Sequence, residues 1–347
     1  MSPDPAATPT GAPADGPAVV RATGVGSWPG RSVREAVRTV RDLLVDGDRL
    51  GLPYLPETPA RGPGADMVGR AAGMLVDLPV DVQPSGWRLV DRPGRDAGRT
   101  ASLHREDLDE LAEAYDGYTG PLKVQVCGPW TLAAGLELTR GERVVTDRGA
   151  TADLRASLAE GVLAYVADVR RLVPGAEVTV QVDEPSLPAV LEGSLPTASG
   201  YGRVRAVDPQ VVASGLRDLL AALDGPTVLH SCHPRAPLPL LRGVGASALA
   251  LDLVDASPTR WESVAATLDA GIGVVAGVLA TDGPADGGAA RDRVREALGR
   301  AGLELGEVRG LAVSPACGLA GAGTSLARDV QRASVEAARR LTDDAHA

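Results

Sequence analysis

Eight short apolar runs, each followed by a stretch with helical periodicity, leave this chain few folds to choose from. The runs are 19–27 (VVRATGVGS), 48–57 (DRLGLPYLPE), 121–128 (PLKVQVCG), 176–184 (AEVTVQVDE), 227–232 (TVLHSC), 248–254 (ALALDLV), 271–279 (GIGVVAGVL) and 308–317 (VRGLAVSPAC). Helices are expected near 31–46, 64–77, 104–116, 151–172, 207–224, 257–270, 288–302 and 322–342. Arg155, Leu158, Val162, Tyr165, Val166 and Val169 recur at the three-to-four spacing of one buried helix face. Parallel strands need a crossover between them, and a helix is the usual one. Strict alternation therefore predicts an α/β chain with a helix-covered parallel sheet, and eight units predict closure into a (β/α)8 (TIM) barrel.

Two segments interrupt the alternation. Residues 78–100, with Trp87 and Gly-flanked turns, read as an inserted hairpin, and the Pro-, Ser- and Gly-rich stretch 185–206 reads as a loop over the barrel mouth. Residues 1–18 (MSPDPAATPTGAPADGPA) offer nothing to bury and are expected to form a disordered tail. The domain map is then a tail, 1–18, and a single barrel, 19–343.

Composition excludes several classes. A net charge of −10 argues against nucleic-acid binding, which needs a basic footprint. No apolar run approaches the roughly 18 residues that span a bilayer, and the N-terminus lacks a signal peptide's apolar stretch. A soluble, cytoplasmic protein is expected. With no Phe, four Trp and five Tyr, the core must rest on Val, Leu and Ala. Three scattered cysteines cannot make a disulfide framework, which turns attention to metal or nucleophile chemistry.

Chemistry-bearing residues gather at the C-terminal ends of the expected strands: Ser27, Glu57, Asp183, Glu184, His230, Cys232, Asp252 and Cys317. In a (β/α)8 barrel that rim carries the active site. His230 and Cys232 are two apart, so both face the same side of a strand end. Imidazole and thiolate together make a half-site for Zn2+, which favours nitrogen and sulfur donors. Cys317 offers a second thiolate, and Asp252 an oxygen. His233, just beyond the strand, reads as a loop residue. Cys127 reads as a buried structural thiol, His104 as a surface residue at a helix entry, and Glu184 as a salt-bridge partner. Trp130 fits either a core position or a stacking surface.

The motifs GVGSWP (24–29), CGPWT (127–131), QVDEP (181–185), LHSC (229–232) and SPACGL (314–319) resemble the catalytic domain of cobalamin-independent methionine synthase. They follow that family's order over most of the chain, in its short single-barrel form. The resemblance implies zinc held by His230, Cys232, Cys317 and an acidic residue, with Asp252 where the family generally has Glu. It implies that Ser27 binds the carboxylate of homocysteine while Glu57 and Asp183 bind its ammonium. Asp183→Asn is then expected to weaken homocysteine binding and leave zinc in place.

On the donor side the sequence departs from the pattern. Where folate-using members place a His after strand seven, this chain reads GVLATDG (277–283), leaving Asp282 as the nearest acid. A carboxyl can protonate a departing amine only if burial raises its pKa. The donor is therefore expected to be 5-methyltetrahydrofolate or a methyl-corrinoid, whose cobalt leaves without a proton and which a partner protein could carry. The rival functions are a zinc alkyltransferase acting on another thiol such as coenzyme M, and a non-catalytic barrel that binds zinc or an amino acid.

Overall fold

The computed structural model describes residues 18–45 and 50–347. All of the expected tail except Ala18 lies outside them, as do residues 46–49, where the first helix meets the second apolar run. Among the described residues there are ten strands: β1 (Arg21–Ala22), β2 (Val80–Gln83), β3 (Gly86–Leu89), β4 (Gly120–Cys127), β5 (Leu136–Glu137), β6 (Ala176–Asp183), β7 (Thr227–Ser231), β8 (Ala248–Asp252), β9 (Gly273–Leu279) and β10 (Leu311–Pro315). Seven of them form one parallel sheet in the order β1-β10-β9-β8-β7-β6-β4.

Both edges of this sheet reach the same segment. On one side the Ala22 N–H donates to the Leu50 carbonyl at 2.8 Å and Leu52 N–H to Ala22 at 2.7 Å. On the other, Leu55 N–H donates to Lys123 at 3.0 Å and Lys123 N–H to Pro53 at 2.8 Å. Pro53 and Pro56 have no N–H to give, which reduces residues 50–57 to isolated bridges rather than a continuous ladder.

Alternation within the strands separates two environments. In β6, Val178, Val180 and Val182 pack into the main core under the helices, and β4 does the same with Leu122, Val124 and Val126. The alternate residues face the hollow of the curled sheet. There Val228, Ala248, Ala250, Val275 and Ala312 form a small second core. Register sets them side by side, with Val228 opposite Ala248, Ala250 opposite Val275, and Val275 opposite Ala312. The polar inward residues Lys123, Gln125, Gln181, Asp183 and His230 lie beside and above this plug, all buried.

The outer helices match the expected pattern, with informative differences. Arg95–Ala114 begins nine residues earlier than expected and confines the hairpin to the antiparallel pair β2 and β3. Its buried face carries Thr100, Asp107 and Leu111, so apolar periodicity alone could not reveal it. In Arg148–Leu172 the buried row includes Leu154, whereas Arg155 turns outward to Asp218 at 2.6 Å and lies over the Trp130 ring. The stretch 185–206 contains a short helix, Leu187–Glu192, before an exposed turn at Tyr201. Among the described residues no helix is long and apolar enough to cross a membrane.

Candidate functional site

His230, near the end of β7, is 4% exposed. Register pairs it with Asp183 of β6, and its Nδ1 lies 2.8 Å from Asp183 Oδ1. A carboxylate only accepts, so Nδ1 carries the proton and Nε2 bears the lone pair. That Nε2 is buried without a hydrogen-bond partner. Cys232, two residues on, and Cys317, just after β10, are half-buried, and their thiols are close enough to act on each other's ionisation. The neighbouring Cys232 thiol favours a thiolate on Cys317 and lowers its pKa. The same contact, together with burial, pushes Cys232 up. Among the described residues no three His, Cys, Asp or Glu side chains stand in a ready metal cage. What the sheet assembles is a pair of thiols, one easily ionised, beside an imidazole with a bare nitrogen.

Asp252 ends β8, where register places it beside Gly277. It is partly exposed, accepts the Val254 N–H at 3.1 Å, and has its pKa raised by burial. His230 and Arg260 are near enough to act on it electrostatically.

The first two strand ends meet the last. Ser27 and Glu57 bridge in parallel, and Ser27 Oγ accepts the Ala320 N–H at 3.3 Å while its carbonyl accepts Leu319 N–H at 2.9 Å. A Cβ at Gly318 would lie 2.1 Å from Ser27 Oγ, so only glycine admits this approach. Glu57 is buried and lies 3.3 Å from Arg70 Nε, whose Nη1 bonds to Asp107. Arg61 holds the other oxygen of Asp107 at 2.5 Å. Burial pushes Glu57 up to about 7; Arg70 opposes that rise and Asp183 adds to it.

The structure thus brings together Ser27, Glu57, Asp183, His230, Cys232 and Cys317, with Asp252 adjoining. It leaves Asp282 apart. Asp282 sits exposed on the loop after β9, which lacks the burial that an acid role requires. Two further expectations are corrected, those for His104 and Glu184, and of the two readings of Trp130 the core position holds. His104 lies inside the helix Arg95–Ala114, not at a surface entry, and burial lowers its pKa to about 3. Trp130 is fully packed, with Nε1 donating to the Val212 carbonyl at 3.1 Å, so it cannot stack a ligand. Among the described residues Glu184 has no salt-bridge partner. Its carboxylate accepts the Trp130 N–H at 2.9 Å and the Thr131 N–H and hydroxyl at 2.7 Å, closing the N-terminus of the helix Pro129–Gly135. Cys127 is buried and its pKa raised by burial, as a structural thiol requires, and His233 accepts the Arg235 N–H within its own turn.

Glu184 supports a stability prediction. Glu184→Ala leaves two buried helix-start N–H groups unpaired and takes the acceptor from the Thr131 hydroxyl, and should cost about 3 kcal/mol. The shift in a denaturant midpoint measures it; an unchanged midpoint contradicts the clamp.

Lys123, Gln181, Gln125 and Arg70 escaped the sequence reading. The first three sit in phase with Cys127 or Asp183, two residues apart on valine-rich strands, and that phase was a usable signal. Arg70 carried none, because the helix Met67–Ala72 is too short to show a face.

Residues 20–340 match the family described as cobalamin-independent synthase, catalytic domain. A B12-independent methionine synthase from Shewanella sp. W3-18-1, solved in complex with selenomethionine, superposes with a TM-score of 0.60 at 13% identity, covering 94% of this chain and 98% of that one. At that identity the likeness shows the fold alone. An aldolase aligns over 67% of this chain and 87% of its own, at a TM-score of 0.32 and 8% identity, too low to carry an argument. No curated protein matches the sequence. With the family matched over nearly the whole described length, and its motifs at the strand ends of a curled parallel sheet, this chain belongs to the cobalamin-independent synthase catalytic-domain family.

Proposed function

We propose that the protein transfers a methyl group to the thiol of homocysteine, giving methionine, in a zinc-dependent reaction on a closed (β/α)8 barrel. Residues 50–57 serve as the eighth strand, and 19–343 form one catalytic domain acting in the cytoplasm. One observation carries the reading: the paired thiols of Cys232 and Cys317 lie near His230, whose buried Nε2 has no partner. That donor set fits zinc in type, two sulfurs and a nitrogen, with Asp252 as the oxygen donor. Bound there, zinc would supply the acidity that turns a substrate thiol, ordinarily protonated at neutral pH, into a nucleophile.

The chain's own residues do the rest. The Ser27 hydroxyl, held in place by the Ala320 N–H, offers a donor to a carboxylate. Glu57 and Asp183 offer two buried carboxylates to an ammonium, an arrangement that disfavours a sulfonate thiol such as coenzyme M. Asp183 Oδ1 is taken by His230 and Gln181, which leaves Oδ2 for the substrate. As the sulfur–carbon bond forms, the methyl group's bond to its donor breaks. Nitrogen in 5-methyltetrahydrofolate then needs a proton, whereas cobalt in a methyl-corrinoid does not. The exposure of Asp282 favours the second donor.

Affinity for the amino acid should depend on pH through Glu57. Its pKa is raised to about 7, so it loses its charge as the pH falls below that value. In zinc-free protein, where the substrate thiol keeps its proton, homocysteine affinity is expected to drop with acidification through this range, while Glu57→Gln binds weakly with little pH dependence. Calorimetric titration at several pH values checks both; a flat wild-type profile excludes Glu57 as an ammonium anchor. The activity itself is tested by incubating zinc-loaded protein with homocysteine and each donor separately. Methionine from either supports the proposal, and none from both sinks it.

A further inference from the structure

Beneath the site runs a chain of buried inward side chains that no reaction step uses. Lys123, with 0% exposure, donates from Nζ to Gln181 Oε1 at 2.8 Å and to the Val25 carbonyl at 3.0 Å. Its Nζ lies 5.1 Å from the centre of the Tyr54 ring. Gln181 turns its amide nitrogen the other way, donating to Asp183 Oδ1 and to the Val25 carbonyl, both at 2.7 Å. Asp183 Oδ1 also accepts from His230 Nδ1.

We propose that Lys123 is a positioning residue: through Gln181 it fixes which way the Asp183 carboxylate faces, so that one oxygen holds His230 and the other meets the substrate ammonium. The inference rests on the reading of Asp183 as an amino-acid anchor. An ammonium has three donors and no acceptor, so the Gln181 carbonyl oxygen must face it. That leaves the amide NH2 toward Asp183. A reversed amide would set two oxygens against each other and free the carboxylate to rotate. The Val25 carbonyl, which accepts from the same NH2, favours this orientation too, and Lys123 locks it from the opposite end of the amide. A buried lysine is otherwise an expensive way to fill space, since leaving water disfavours its charged form. Because Lys123 and Gln181 share the Val25 carbonyl, the same relay pins the strand end that leads to Ser27.

The test is a double-mutant cycle on L-homocysteine binding. Lys123→Met should weaken binding about ten-fold, the worth of one lost charge-assisted hydrogen bond. In the Asp183→Asn background the same change should alter affinity by less than about two-fold, since coupled residues are not additive. A lysine that merely supports the fold would weaken both backgrounds equally, and that result, or an unchanged affinity in Lys123→Met, overturns the proposal. Should Lys123→Met fold poorly, Lys123→Met with Gln181→Leu removes both polar partners and should show the same weakening; wild-type affinity there also overturns it. The His230 Nδ1–H proton, followed by NMR in the ligand-free protein as purified, gives an independent readout. It should exchange slowly in the wild type and faster in Lys123→Met. Equal protection refutes the relay whether or not homocysteine binds. Faster exchange in a protein whose wild type binds no amino acid supports the relay and sinks only the functional reading.

Discussion

Cys232→Ser and Cys317→Ser are each expected to lose zinc and methyl transfer together, with turnover falling about a thousand-fold or more. The size follows from what the sulfur does. Zinc favours soft thiolate donors, and a serine hydroxyl is neither soft nor ionised at neutral pH. Both cysteines are only half-buried and lie outside the main apolar core, so the fold should survive either change. Zinc content, circular dichroism and methionine formation measured on the same preparations separate the effects. Full zinc with full activity in both variants would remove these sulfurs from the site.

Asp183→Asn should be nearly as severe, and on two fronts. Sequence reasoning assigned Asp183 to the substrate alone and expected zinc to stay in place. The structure gives its Oδ1 to His230 Nδ1 at 2.8 Å and to Gln181 Nε2 at 2.7 Å, which alters that expectation. An asparagine has one acceptor oxygen. If that oxygen stays on the imidazole, the amide nitrogen confronts the substrate ammonium. If it flips, the nitrogen confronts His230 Nδ1–H and disturbs the ring whose Nε2 would meet the metal. Loss of a partner that orients a metal-binding histidine typically costs about 10–100-fold in metal affinity. Homocysteine binding and zinc affinity should therefore fall together. Unchanged zinc affinity with weakened amino-acid binding would restrict Asp183 to the substrate.

Most of the architecture was legible because its signals are local. Short apolar runs alternating with helical stretches located all seven strands of the main sheet, and the eighth run coincides with the segment that meets both sheet edges. The rim positions of Ser27, Glu57, Asp183, His230, Cys232 and Cys317 followed from where polar residues end apolar runs. The misses share a physical cause. Thr100 and Asp107 are polar residues on a buried helix face, so the helix around them had no hydrophobic stripe to show. Arg70 and Lys123 are charges whose partners lie far along the chain: Asp107 for one, Gln181 for the other. Burial of a charge by a distant partner leaves no periodic trace. Glu184 was read correctly as structural but assigned the wrong partner, because a helix N-terminus offers N–H groups that no residue letter announces. Asp282 shows the opposite case: proximity in sequence to a strand end does not bring burial.

The proposed reaction needs two sulfurs and an imidazole to meet one metal ion that is open to an incoming thiol. Zinc X-ray absorption on the purified protein, before and after adding homocysteine, tests this most directly. A mixed sulfur and nitrogen or oxygen shell that gains one more sulfur on adding homocysteine is the predicted result. A protein that holds no zinc, or one whose metal sees only oxygen and nitrogen and ignores homocysteine, would contradict it.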